Sequence, residues 1–252
     1  MHRTGDLFGQ YQTLEQQKDS ATLGMWFFLV TEVLFFGGMF LTYTINRSTY
    51  PIAFAYGSNT LDIKLGTINT AVLILSSLTM AMAVWSAQTN KRKLVTWFLV
   101  ATLILGCAFL GIKFIEYSQK FEHHLIPGQN FDVSYHVNHP SASDKPEEIA
   151  KDREELDKAL YGDPKTGRPG DSGLTAHAQL YVSLYFAMTG LHALHMIVGA
   201  GLVFWLIVQS IKGRFSSSYN TPVEIIGLYW HFVDIVWIFL YPLLYLIDRH
   251  LK

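Results

Sequence analysis

Six ionisable side chains interrupt long apolar stretches of this sequence, where they could move protons, hold a metal ion or fasten helices together. They are Glu32, Glu116, His192, His195, His231 and Asp234. A charged group at hydrocarbon depth is costly, so such residues usually face protein or water and serve a function. Each of the six is therefore a candidate site residue. No phosphate-binding glycine loop and no nucleophile–base pair accompanies them in the sequence.

Glu32 has the most apolar sequence surroundings of these six residues. It lies inside FFLVTEVLFF, nine residues beyond Leu23, which is about 14 Å along a helix. A carboxyl group near the middle of the bilayer favours proton handling or contact with another subunit. A neutral Glu32 that makes a purely structural hydrogen bond to a neighbouring helix is the alternative.

Glu116 follows Lys113 by three residues near the end of another apolar stretch. This spacing allows an ion pair on one helical face. Lys113 could instead extend its ammonium group to the membrane interface. Both interpretations favour a structural or lipid-headgroup role for Glu116 over catalysis.

Two further pairs have the same three-residue spacing. His192 and His195 share a helical face, so a common metal ion is geometrically feasible. Di-iron bundles, however, use Glu-x-x-His motifs with further carboxylates on other helices, and small residues such as Gly199 favour helix packing here. Asp234 could accept a hydrogen bond from His231 and fix its tautomer, in a polar clamp or a proton network. We predict no metal site and no catalytic residue in this chain.

Five apolar stretches of roughly 20 residues or more must position these groups. They cover about 23–43, 66–87, 94–117, 181–209 and 223–247. The stretches are apolar on all sides, whereas soluble helices keep a charged face. The sequence therefore predicts an all-α, polytopic bundle of five transmembrane helices, forming a single membrane domain over residues 1–252.

Acidic residues are concentrated between the third and fourth stretches. Residues 118–176 hold 11 of the 20 acidic side chains, which predicts an extramembrane acidic loop. Within it, Pro146–Leu160 has the pattern of a charged surface helix, typical of a solvated cap or a docking surface. Short-loop Lys and Arg residues number seven on one side and four on the other. The positive-inside rule then predicts a cytoplasmic N-terminus and an external acidic loop.

Five segments resemble, in order and spacing, the subunit III family of haem–copper oxygen reductases, and above all cytochrome c oxidase subunit III. They are LGMWFFLVTEVLFFGGMF, NTAVLILSSLTMAMA, GIKFIEYSQKFE, YFAMTGLHALHMIVGAGL and YWHFVDIVWIFLYPLLYLID. The six candidate residues fall on motif positions of this family, none of which is catalytic there. The mitochondrial type has seven spans, so the resemblance is to a five-span form, and a partner chain could supply the missing pair.

The resemblance implies a non-redox subunit of a proton-pumping oxidase, with haem and copper in partner subunits I and II. It implies packing against subunit I, bound phospholipid, and support of assembly, proton uptake and stability. A small subunit IV, and cytochrome c or an electron-donating complex near the external loop, are further expected partners. The bacterial inner membrane is the expected location.

Four other functions compete with this interpretation. Subunit III of a quinol oxidase and a nitric-oxide-reductase accessory protein share the five-span pattern. A proton-coupled transporter would show inverted repeats and broken helices, and the sequence has neither. A metal-dependent membrane enzyme would need more ligands than His192 and His195 provide.

Overall fold

The computed structural model describes residues 11, 13–122, 127–128, 131–139, 146–164, 167, 169–216 and 219–246. The chain is mainly helical in these ranges, which hold no β-strand beyond isolated bridge residues. This confirms the predicted all-α class. The helices are α1 (Leu14–Thr49), α2 (Pro51–Asn59), α3 (Ile63–Gln88), α4 (Arg92–Glu122), α5 (Tyr135–Asn138), α6 (Pro146–Tyr161), α7 (Leu174–Ile211) and α8 (Thr221–Tyr241), and a π-helix over Pro242–Leu246 follows α8.

Five of the described helices are long and apolar enough to cross a membrane, which confirms the predicted number of spans. They cover Leu14–Thr49, Ile63–Gln88, Arg92–Ser118, Leu174–Ile211 and Thr221–Leu246. Each is longer than its predicted apolar stretch, because polar residues at the ends continue the helix; α1 begins nine residues before Leu23. The end of the last predicted span, Ile247, lies outside the described residues. The orientation of the N-terminus and the acidic loop stays a prediction.

The five spanning helices differ in how much they bury within the chain. In the most apolar part of the α1 span, 11% of the residues are buried, whereas 61% are buried in the same part of the span that α8 begins. Helix α8 therefore makes extensive contacts inside the bundle, and α1 keeps most of its apolar surface for lipid or for other chains.

The chain divides into two compact units, each assembled from parts of several helices. The first unit contains Met1–Gly37, Ile68–Leu110 and His192–Ile238. The second contains Gly38–Thr67, Gly111–Leu191 and Phe239–Lys252.

Two tryptophans of α8 organise the first unit. Trp230 is fully buried, and its indole nitrogen donates to the Ser76 hydroxyl at 3.0 Å. Trp237 donates in the same way to Thr70, at 3.1 Å. A Cβ atom on Gly199 would lie 3.1 Å from the Trp230 ring, so only glycine lets α7 approach the indole without a shift. The close approach at Gly199 confirms the predicted role of small residues in packing the spans, and the two indole–hydroxyl bonds add polar contacts between helices.

The second unit holds the segment between the third and fourth spans. Helix α6 ends one residue beyond its predicted bound, and it packs against α2 and α5. Leu156 and Ala159 are buried on its inner face. The Arg153 guanidinium donates to the Val137 carbonyl at 3.2 Å. The described residues of the acidic segment thus include a helix with a buried inner face. Helix α2, which lies outside this segment, was not predicted.

Candidate functional site

Glu32 and His195 form one interhelical pair in the first unit. The Glu32 Oε2 atom of α1 lies 3.2 Å from the His195 Nε2 atom of α7. Both side chains are partly buried, with 19% and 16% of their surface exposed. The Tyr229 hydroxyl donates to the His195 carbonyl at 3.0 Å, and the Phe36 ring meets the imidazole edge to face. Glu32 therefore has a hydrogen-bonding partner on a neighbouring helix. This is the contact that the structural interpretation of Glu32 predicts.

His192 has different neighbours from His195. It is buried, and its ring centroid lies 5.5 Å from that of Phe109 and 5.1 Å from that of Trp237. Across the part of the chain that the structure describes, no three His, Cys, Asp or Glu residues are grouped so that they could hold a metal ion. The H-x-x-H spacing thus places its two rings among different aromatic side chains, which favours the packing interpretation.

His231 and Asp234 lie on the face of α8 that meets α3. The His231 Nδ1 atom is 2.7 Å from the Ser77 hydroxyl oxygen. The Asp234 carboxyl is buried, and neither of its oxygens has a hydrogen bond of good geometry within the described ranges. The predicted hydrogen bond from His231 to Asp234 is therefore wrong, because the imidazole reaches across to a hydroxyl on the next helix instead.

Glu116 lies at the centre of a closed network in the second unit. Its Oε2 atom accepts from the Lys113 ammonium at 2.7 Å, and both side chains are buried. Its Oε1 atom accepts from the Tyr185 hydroxyl at 2.8 Å and from the Tyr245 hydroxyl. Lys113 also donates to Tyr245, at 2.6 Å. The predicted ion pair is confirmed, and Lys113 does not extend to an interface.

Neither Tyr185 nor Tyr245 was predicted from the sequence to belong to this network. A tyrosine near a span end has the same sequence signal whether it lies at the membrane interface or in a buried network. The three donors to Glu116 come from α4, α7 and the π-helix, so only the tertiary structure reveals them.

Lys120 is a second buried lysine beside this network, and it was not predicted from the sequence. It is 7% exposed, and its ammonium lies 5.1 Å from the centre of the Tyr185 ring. Burial lowers the pKa of Lys120 to about 8; the nearby Glu116 carboxylate opposes this shift and Lys113 adds to it. The sequence feature that could have indicated Lys120 is its position one turn after Glu116, on the same helical face.

Known proteins resemble this chain over nearly its whole length. The family model described as cytochrome c oxidase subunit III matches residues 2–124 and 170–248. Cytochrome c oxidase subunit 3 of Loxodonta africana is 26% identical over 251 residues, covering 96% of this chain and 75% of that protein. The probable quinol oxidase subunit 3 of Staphylococcus haemolyticus (strain JCSC1435) is 25% identical over 226 residues, covering 89% and 88%.

All six candidate residues lie within the two matched ranges, whereas α5 and α6 lie between them. The described residues form five helices that are long and apolar enough to span a membrane, which agrees with the multi-pass nature of such a subunit. Because the family model matches well over half of the sequence, this chain belongs to the cytochrome c oxidase subunit III family.

Proposed function

We propose that this chain is the redox-silent subunit III of a proton-pumping haem–copper oxidase in a bacterial inner membrane. In this role it supports the assembly, proton uptake and stability of subunit I, while subunits I and II carry the haem and copper. The observation that supports this role is that the buried polar groups join helices rather than gather around one reacting centre. Glu32 joins α1 to α7, Ser77 joins α3 to α8, and Glu116 joins three elements.

Bound phospholipid is part of this proposal. A groove of about 400 Å³ in the first unit includes Glu32 and His195, and its other lining side chains are mostly apolar. Acyl chains fit such a lining, and the carboxyl–imidazole pair gives the groove one polar point. The groove lies along α1, which buries little of its own apolar surface.

We propose cytochrome c, or a complex that carries it, as the electron donor, with the segment around α6 as its contact region. The likeness to quinol oxidase subunits supports a second candidate, subunit III of a quinol oxidase, since that match covers 88% of the relative. A nitric-oxide-reductase accessory protein is the remaining alternative. A neighbouring subunit II with copper-binding Cys and His residues would favour the cytochrome c oxidase.

Purification in mild detergent tests the proposed function. An affinity tag on this chain is expected to recover haem-bearing subunits with oxygen-consuming activity. Oxidase depleted of the chain should keep its haem spectrum while losing activity faster during turnover. Recovery of the chain without any haem-bearing partner would contradict the proposal. Turnover with reduced cytochrome c compared with a quinol then separates the two donors.

A further inference from the structure

The Asp234 carboxyl is short of hydrogen-bond donors. Only 2% of the residue is exposed, and the Ser77 hydroxyl beside it is within bonding distance of His231. Ser77 has one proton, which can serve His231 or Asp234 but not both. At least one carboxyl oxygen is therefore left without a donor from the described residues.

Depth in the membrane limits what could supply the missing donor. Asp234 lies 13 residues after Thr221 and 12 before Leu246 in its span, so each end is about 18–20 Å away. Lipid headgroups and bulk water lie near those ends, and acyl chains carry no hydrogen-bond donor. A donor at this depth comes either from trapped water or from a protein segment that crosses the membrane.

A groove in the first unit leads to this carboxyl. It has a volume of about 250 Å³ and is lined by Leu73, Ile74, Ser77, Leu78, Ala81, His231, Asp234 and Ile238. A single water needs only about 10–15 Å³, so one water does not fill it. Its rim is open, since Ile74 and Leu78 are more than half exposed. Ala81 is exposed as well, and a small residue on a rim lets another helix approach closely.

We infer that this α3–α8 groove is an intramembrane docking site for a helix of another oxidase subunit, which brings a hydrogen-bond donor to Asp234. The inference rests on the proposed function, because the oxidase supplies the partner helix. An uncharged hydroxyl, an indole N–H or a cationic side chain could each act as the donor. The apolar rim would pack on the partner helix around this single polar contact.

Photocrosslinking in the intact oxidase tests the docking site. A benzophenone amino acid replaces Leu78 on the rim, native membranes are irradiated, and the adduct is identified by mass spectrometry. An adduct with a transmembrane segment of another oxidase subunit is expected. Adducts with lipid alone, or with a second copy of this chain, would overturn the inference.

Two alanines of α3 provide a matched pair of blocking variants. Ala81 lines the groove, whereas Ala71 is also exposed but is not among its lining residues. Ala81→Trp should abolish the Leu78 adduct and lower retention of the chain with the haem-bearing subunits by roughly three- to tenfold. Ala71→Trp should change neither. Equal membrane levels of the two variants show that both fold, and equal retention would overturn the inference.

Asp234 itself separates a docking role from simple packing. Asp234→Leu should lower retention by roughly three- to tenfold, and Asp234→Asn should restore part of it, because its amide oxygen still accepts a hydrogen bond. If neither variant changes retention, no partner donates to Asp234. If the unaltered chain recovers haem-bearing subunits but Leu78 reaches only lipid, the docking site alone is wrong. If it recovers none, the proposed function fails.

Discussion

Glu116 and Asp234 are both buried carboxyl groups on apolar helices, yet their surroundings are opposite. Glu116 accepts hydrogen bonds from Lys113 and from two tyrosines of its own chain. Asp234 has no hydrogen bond of good geometry within the described residues, and it borders an open groove. The first site is complete within the chain. The second needs a donor from elsewhere, so the two should fail in different ways when they are changed.

Removal of the Glu116 carboxylate should have the largest effect. Glu116→Leu leaves the buried Lys113 ammonium without its counter-ion, which should destabilise the chain by about 3–5 kcal/mol. Thermal unfolding in detergent and the level of the chain in membranes measure this loss. A Lys113→Met, Glu116→Leu double variant should recover much of the stability, because the buried Lys113 ammonium is then removed together with its counter-ion. A single variant as stable as the unaltered chain would contradict the closed-network interpretation.

Lys120, beside the same network, should make the stability of the chain depend on pH. Its pKa of about 8 lies below its ordinary value, so above pH 8 the folded chain binds fewer protons than the unfolded one. The free energy of unfolding should therefore rise as the pH increases through 8. Below that pH the buried charge lowers the free energy of unfolding by roughly 3 kcal/mol.

Lys120→Met removes this charge and serves as the comparison. It should be more stable than the unaltered chain at pH 7, and its advantage should shrink at pH 9. Melting midpoints at the two pH values measure the difference. An advantage that grows with pH would show that the sign is wrong.

Asp234→Leu should behave in the opposite way to Glu116→Leu in chain that has been released from its partners. Loss of a buried carboxyl without a donor should leave the free energy of unfolding unchanged or raise it by up to about 2 kcal/mol. The same unfolding assay measures this change. A loss of stability as large as that of Glu116→Leu would mean that Asp234 has a partner within the chain.

Glu32 is intermediate between the two sites, since it has one partner, His195, and lies in a groove. Glu32→Ala should cost about 1 kcal/mol of interhelical bonding and shorten sustained turnover, with the haems intact. Glu32→Gln keeps a hydrogen bond to the imidazole and should lose less. Haem absorbance and the decay of oxygen consumption are the readouts, and an immediate loss of haem would contradict the accessory role.

Much of the fold was predictable because its signal is local. Apolar length indicated the five spans, and charge periodicity placed α6 within one residue of its observed end. The Lys113–Glu116 pair follows from three-residue spacing on one helix. Helix α2 is different: it is short and mixed in composition, and Pro51 at its start has the same sequence signal as a turn.

The partners of the buried groups depend on contacts between distant parts of the chain. Ser77 and His231 are 154 residues apart, and no spacing rule connects them. The predicted hydrogen bond from His231 to Asp234 was wrong for this reason. Asp234 is close to His231 in sequence, whereas the hydroxyl that His231 meets lies on another helix. Tyr185 was missed in the same way.

Retention of the chain with the haem-bearing subunits, normalised to the amount of folded chain, tests the central contrast most directly. The measurement compares Asp234→Leu and Glu116→Leu in oxidase purified under identical conditions. We predict a lowered ratio for Asp234→Leu, and for Glu116→Leu an unchanged ratio with less folded chain. An unchanged ratio for Asp234→Leu, or a ratio lowered only for Glu116→Leu, would show that Asp234 does not bind a partner subunit.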